Sequence, residues 1–261
     1  MQLTQIKEYS NLLLEAEETR NGTTPLTAIQ GDFDVIKAYY VQLETIAEKV
    51  KSGRKITGKK IGLTSKAMQN LLGVSEPDYG HLLDDMVVEN GGAISVKRLL
   101  QPKVEAEIAF VLKETLKGPG ITPIDVLRAT EYVLPSLEIV DSRIRDWKIK
   151  LADTVADNAS SGLYILGGKP VKPEEVDLEM MGMVFEKNGE VVNTGVGAAA
   201  LGHPATCVAW LANKLSEFDI ALEAGEVILS GALSTAVNAQ AGDVFTAKFA
   251  HIGQVSVHFT E

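Results

Sequence analysis

The chain has 261 residues, 45% hydrophobic and 23% charged, with 25 Lys and Arg against 35 Asp and Glu for a formal charge of −10; this suits one domain, or a main domain with a small satellite, around a large core. The acidic balance, with no basic block, excludes a nucleic-acid or anionic-membrane surface and leaves a small molecule as the expected partner. The single cysteine, Cys207, excludes an internal disulfide, and the N-terminal "MQLTQIKEYSNLLLEAEETR" has no apolar run, so a cytoplasmic protein without signal peptide or membrane span is expected.

The first 52 residues read as helices. Ile6, Tyr9, Leu12, Leu13 and Ala16 share one helical face, and "NGTTPL" (21–26) interrupts the pattern. A second helix is predicted from Asp32 as N-cap, through Val35, Ile36, Tyr39, Leu43, Ile46, Ala47 and Val50, to Ser52-Gly53. "KIGLT" (60–64) reads as a strand, "SKAMQNLLG" (65–73) as a helical turn or two, and "GVSEPDYGHLLDDM" (73–86) as a loop. Strands are predicted over 104–112 and 132–140, with a helix opened by Thr122-Pro123 between them. "LYILGG" reads as a strand, "KNGE" (187–190) as a hairpin turn, and 202–218 as a helix with Val208, Leu211, Ala212 and Leu215 inward. "EVILSG", "DVFTAKFA" and "QVSVHF" complete a β-rich body. The expected class is α+β, a mixed sheet or barrel (56–261) preceded by an N-terminal helical segment (1–55).

The stretch "VEAEIAF" (104–110) places Glu105 and Glu107 within an apolar run. On a strand the two point to one face, roughly 7 Å apart. Glu138 stands in a second apolar strand, "PSLEIVDSR". Each glutamate could pair with Lys or Arg or face solvent; three together would also suit a hard divalent ion such as Mg²⁺ or Mn²⁺. His81, His203, His251 and His258 show no ligand spacing and there is no metal-binding cysteine pattern, which argues against zinc. In "GKKIGLTS" (58–65), Lys59 and Lys60 lie on opposite strand faces, so one must look inward. Beside a metal such a lysine could bind a substrate carboxylate or transfer protons, its pKa lowered by the neighbouring positive charge; the alternative is a surface basic pair at a strand start. Asp78 in "PDYG" is a candidate acid–base group or a turn former, and "DTVADNASSG" (153–162) an anion-binding loop or a long turn.

"GKKIGLTS", "PDYG", "VEAEIAFVL", "LEIVDSRIRDW", "DTVADNASSG", "LGHP" and "GEVILSGAL", in this order, resemble the 2-keto-4-pentenoate hydratase / 4-oxalocrotonate decarboxylase family of the fumarylacetoacetase-like fold. The resemblance runs from about residue 58 to the C-terminus, and the N-terminal helices fit it too. It implies a Mg²⁺ or Mn²⁺ held by Glu105, Glu107 and Glu138, and a pocket for a 2-oxo or 2-enol carboxylate lined by Lys60, Leu63, Thr64 and Ser160. Asp78 and Trp147 match the hydratase pattern of a P-D-[YF]-G acid and SRI-x-D-W. The implied reaction is hydration of 2-hydroxypenta-2,4-dienoate to 4-hydroxy-2-oxopentanoate in meta-cleavage of aromatics, with Lys60 and Asp78 moving protons. The alternative is 4-oxalocrotonate decarboxylation; a C–C hydrolase using a histidine near "PDYG", or a silent scaffold subunit, stands behind both. The family also implies a homo-oligomer and association with a pathway partner of the same family.

Overall fold

A computed structural model describes residues 2–66, 69–70 and 73–261. Three helices open the chain: α1 (Leu3–Thr19), the short α2 (Leu26–Ile29) and α3 (Val35–Lys51). α1 buries Tyr9, Leu13 and Ala16 as its periodicity requires. α3 begins two residues later than expected. Its N-cap is Asp34, whose carboxylate accepts from the Lys37 backbone N–H at 2.8 Å, while Asp32 pairs with the Lys37 ammonium at 2.7 Å on the surface. The inward face is also rotated from the expected one: Ile36 and Val50 are exposed, and the polar Gln42 and Thr45 are buried. An apolar count misses this because those two side chains spend their polar atoms on buried protein partners. Part of the helical turn expected over 65–73 lies outside the described residues.

The body is built on two sheets. The first joins β1 (Ile56–Gly62), β2 (Asp78–Leu83), β3 (Val87–Val88), β5 (Lys103–Leu112), β6 (Thr130–Val140), β7 (Ser161–Leu166) and β10 (Val227–Ala232) in the order β2-β1-β10-β5-β6-β7-β3, with β11 (Val237–Asn238) added to β5. The second is formed by β4 (Ala93–Ser95), β8 (Gly182–Lys187), β9 (Glu190–Val196), β12 (Val244–Phe249) and β13 (Gly253–Thr260), ordered β4-β13-β12-β8-β9. Both are mixed: β1 runs parallel to β10, β3 to β7 and β4 to β13, against antiparallel neighbours elsewhere. The "KNGE" turn joins β8 to β9, with Asn188 and Gly189 at φ 56° and 82°, the left-handed pair a tight hairpin needs. Further α-helices among the described residues are α4 (Pro123–Ala129), α5 (Leu151–Ala156) and α6 (Pro204–Leu215). α4, capped by Thr122, and α6, capped by His203, fall where the sequence puts them, and Val208, Leu211, Ala212 and Leu215 are all buried.

A further expectation fails. The stretch 73–86 is not all loop: Asp78–Leu83 forms a fully buried strand paired antiparallel with β1, with Asp78 opposite Gly62. Pro77 and Gly80 mask the strand locally, and pairing with β1 overrides them. No helix among the described residues is long and apolar enough to cross a membrane.

The cap assignment is directly testable. Asp34→Ala removes the partner of the Lys37 N–H and is expected to cost about 1 kcal/mol in urea denaturation, whereas Asp32→Ala, at an exposed ion pair, should cost less. The reverse order would put the helix start back at Asp32.

Candidate active site

The register of β5 against β6 sets Glu105 directly opposite Glu138, with Glu107 opposite Ser136. Like charges in opposed positions repel, yet Glu107 and Glu138 are completely buried. One carboxylate oxygen from each of Glu105, Glu107 and Glu138 lies within 4.8 Å of the others. Beside them β10 is irregular between Leu229 and Ala232. There Gly231, at φ 101°, turns its N–H onto Glu107 Oε2 at 2.8 Å, and a side chain at 231 would run into Thr64. Glycine is therefore required at this bulge. Among the described residues, Glu107 Oε1 and Glu138 Oε1 have no hydrogen-bond donor, and Glu138 Oε2 has only the ion-pair contact with Lys60.

Burial raises the pKa of all three glutamates and Lys60 opposes it; Glu138 adds to the rise at Glu105 and Glu107, and Asp78 to that at Glu138, with Glu105 pushed up to about 7. Orphaned, buried, all-oxygen donors fit a hard divalent cation such as Mg²⁺ or Mn²⁺. A protein cation is also present. Lys60 Nζ stands 3.2 Å from Glu138 Oε2 and donates to the Ala159 carbonyl at 3.2 Å. Burial opposes its charge, but Glu138, Asp78, Glu105 and Glu107 outweigh burial and raise its pKa. The lowered pKa expected of a lysine beside a metal refers to a cation-loaded site; in the cation-free protein the neighbours are anions and hold the pKa up. Nor does only one lysine look inward: Lys59 is equally buried on the opposite face, in an ion pair with Glu226 at 2.6 Å.

Asp78 enters from the first position of β2 rather than from a loop. Its Oδ2 accepts from Thr154 Oγ1 at 2.9 Å, and its Oδ1 is buried with no donor among the described residues. Burial raises its pKa, and Lys60 partly offsets this. Gly62 makes the arrangement possible, since a Cβ there would collide with Asp78 Oδ1 and stand 3.1 Å from Lys60 Nζ. A cavity of about 270 Å³ lies over this group and is lined by Lys60, Leu63, Asp78, Glu105 and Ser160. Thr64 lines instead a smaller adjoining cavity of about 90 Å³ that shares Gly62, Leu63 and Glu105. Glu107 and Glu138 line neither.

The "ADNAS" segment follows α5 as three consecutive left-handed residues, Asn158, Ala159 and Ser160, at φ 54°, 49° and 54°. Such backbone persists only when its surroundings over-determine it. Here Ser160 N–H donates to Asp157 O at 2.9 Å, Asp141 N–H donates to Ser160 O at 2.7 Å, and the Ser160 hydroxyl reaches Asp157 Oδ2 at 3.4 Å. The Ser160 N–H is therefore spent internally and does not face a ligand. Behind the turn, buried Arg143 donates through Nε to Asp157 at 2.5 Å and through Nη1 to the carbonyls of Asp141 and Ser161. Burial lifts Asp157 to about 6 despite that guanidinium.

Sequence reasoning missed Gly62, Thr154, Lys103 and Lys150. Lys103 sits 4.2 Å above the Trp147 ring, and with Trp147 and Lys150 it lines the larger cavity, whose remaining wall includes Val74, Val140, Ile149 and Leu151. A lysine two positions before Glu105 on the same strand face was the available signal. His81 belongs elsewhere: it faces Lys59 on the far side of β2, and burial lowers its pKa to about 3.

Residues 62–260 match the fumarylacetoacetate (FAA) hydrolase C-terminal family. The chain is 53% identical to a 2-hydroxypent-2,4-dienoate hydratase from Pseudomonas putida over 85% of this chain and 100% of that protein. It is 48% identical to a 2-hydroxyhexa-2,4-dienoate hydratase from Comamonas testosteroni over 98% of each. Its fold superposes on the 4-oxalocrotonate decarboxylase of Pseudomonas putida G7, solved with magnesium and adipate, with a TM-score of 0.97 at 41% identity, covering 99% of this chain and 98% of that one. The chain belongs to the fumarylacetoacetate hydrolase family, within its 2-keto-4-pentenoate hydratase / 4-oxalocrotonate decarboxylase group. The expected α+β, fumarylacetoacetase-like architecture with N-terminal helices is the one observed.

The acid cluster has a pH signature. Glu105 titrates at about 7 folded against 4.5 ordinarily, so the folded, cation-free protein binds the extra proton between those values and its stability falls as pH rises through them. In chelator, the unfolding midpoint should therefore drop from about pH 5 to about pH 7.5, and added Mg²⁺ should raise it more at the higher pH, where no proton competes. Glu107→Gln should shrink the Mg²⁺ effect. An equal Mg²⁺ shift at both pH values, unchanged in the variant, would dissociate the cluster from cation binding.

Proposed function

We propose that this protein is a hydro-lyase adding water to 2-hydroxypenta-2,4-dienoate to give 4-hydroxy-2-oxopentanoate, a step in meta-cleavage degradation of aromatic compounds. The observation that carries this reading is Asp78, a buried acid with one oxygen that has no donor among the described residues, beside a charged lysine and the three-glutamate cluster. Hydration needs a proton delivered to carbon and a proton withdrawn from water, and a carboxyl with a raised pKa suits both. The similarity to two dienoate hydratases supports the same reading.

In this reading Glu105, Glu107 and Glu138 hold a Mg²⁺ or Mn²⁺, which supplies Lewis-acid polarisation of the 2-oxygen. Lys60, kept protonated by its anionic neighbours, orients the substrate carboxylate. Leu63 and Ser160 line the pocket, and Thr64 lines the adjoining cavity. Protonation at carbon 5, with loss of the 2-hydroxyl proton, converts the dienol to the 2-oxo-3-enoate. Water oxygen then bonds to carbon 4 and a proton goes to carbon 3, with Asp78 and Lys60 exchanging the protons. Val74, Val140, Ile149 and Leu151 offer the far end of the substrate an apolar wall. The family assignment extends this reading to a homo-oligomer, able to associate with a partner lyase of the same family.

One observation favours a second reading. Lys103 and Lys150 in the cavity wall would suit a second carboxylate, as in decarboxylation of the dicarboxylate 4-oxalocrotonate, and the fold match to that decarboxylase is close.

Metal-stripped protein reconstituted with Mg²⁺ or Mn²⁺ and offered both substrates separates the two. Gain of water on the dienoate, with 4-oxalocrotonate untouched, is the expected result; CO₂ loss from the latter makes the protein a carboxy-lyase, and silence on both favours a scaffold. Lys60→Met and Asp78→Asn should each lower hydration by about 10²-fold or more while retaining the Mg²⁺-induced rise in unfolding midpoint. Wild-type turnover in both variants would remove these residues from the chemistry.

A further inference from the structure

Asp78 sits on the outermost strand of its sheet. Among the described residues β2 is paired on one side only, with β1, so the backbone groups on its other edge need partners other than a strand. Two amide side chains supply them. Asn158 Oδ1 accepts from the His81 N–H at 2.7 Å and its Nδ2 donates to the His81 carbonyl at 2.8 Å. Gln42, reaching in from α3, donates through Nε2 to the Tyr79 carbonyl at 2.9 Å and to the Val155 carbonyl at 2.6 Å. With Nε2 committed to two carbonyls, Oε1 faces His81 Nδ1 at 3.0 Å, which makes that ring nitrogen the N–H donor. Gln42 is fully buried.

The two carbonyls have a particular place. Tyr79 follows Asp78, and Val155 follows Thr154; Asp78 and Thr154 are themselves joined by the 2.9 Å hydrogen bond between their side chains. Val155 also lies in the last turn of α5, where carbonyls lack helical partners. One buried amide thus ties the strand that carries Asp78 to the helix that carries the hydroxyl orienting it.

We propose that Gln42 is a positioning residue for Asp78, its amide standing in for the missing strand beside β2 and keeping Asp78 and Thr154 in register over the cavity. The proposal rests on the acid–base role given to Asp78 above. It also makes the N-terminal helical segment part of the active-site support. Gln42 touches neither the cavity nor the glutamate cluster, so its loss acts through Asp78 and not through the cation.

A double-mutant cycle in the full-length, Mg²⁺-loaded protein tests this. Gln42→Met keeps the size of the side chain and removes its hydrogen bonds. With Asp78 present it is expected to lower kcat by about tenfold or more with KM little changed, and with Asp78→Asn already in place by less than about twofold. The Mg²⁺-induced rise in unfolding midpoint should be the same in both backgrounds. Equal loss of kcat in the two backgrounds, no loss with Asp78 present, or loss of the Mg²⁺ effect overturns the proposal. Wild-type turnover in Asp78→Asn alone would overturn the parent reading of Asp78, whereas a slow Asp78→Asn with an unaffected Gln42→Met overturns only the role of Gln42. Should Gln42→Met fail to fold, Gln42→Asn, which keeps the amide one methylene short of its partners, takes its place in the same cycle, where the same outcomes support or overturn the role of Gln42.

Discussion

Three carboxylates held on two adjacent strands, two of them without solvent exposure, are the constraint around which this molecule is arranged. Glu105 and Glu138 face each other across the β5–β6 ladder, where an ordinary sheet would pair an acid with a base. Left alone the group would keep protons or unfold the sheet locally. The structure places a lysine from β1, a backbone N–H from the bulge in β10 and space for a hard cation around it. Each needs a concession elsewhere in the chain: glycine at 231 so that the bulge can turn, and glycine at 62 so that Lys60 and Asp78 can share one face. The strain and orphaned polar atoms gathered here are those expected of a site whose geometry serves binding rather than stability.

The second support stands behind the cavity. The left-handed residues 158–160 expose Ala159 O to Lys60 and place Ser160 at the cavity wall. They are held by Arg143 and Asp157, by the Asp141 N–H, and by the amide of Asn158 clamped to β2. The sequence words "DSR" and "ADNAS" are thus two halves of one buried network. Its ion pair is expensive to desolvate and is worth keeping chiefly because its hydrogen bonds specify one backbone path. The N-terminal helices join in through Gln42 and through Asp153, which accepts from Thr27 at the start of the chain.

Much of this is legible in the unfolded chain. The alternation in "VEAEIAF" puts Glu105 and Glu107 on one strand face, and Glu138 stands out as an acid in an apolar run. Caps and turns mark α4, α6 and the β8–β9 hairpin because those signals act over three or four residues. Sequence reasoning fails where a distant partner decides. The strand at 78–83 exists because β1 pairs with it, and the charge state of Lys60 depends on carboxylates contributed by three other strands. The buried face of α3 escapes an apolar count because Gln42 counts as polar until its three partners are in place.

By itself, then, the sequence determined the class of the fold, most of its elements, and the chemical types available to the site: three acids on apolar strands, a lysine between glycines and an acid before a tyrosine. These follow from periodicity, capping and turn chemistry, which are local. Only the tertiary structure decided that Glu105 opposes Glu138, that Lys60 rather than Lys59 faces them, and that Asp78 arrives from an edge strand held by Thr154 and Gln42. Strand register and the charge state of buried groups are set by residues far apart in the chain, and electrostatics in a water-poor interior depends on every neighbour the fold assembles.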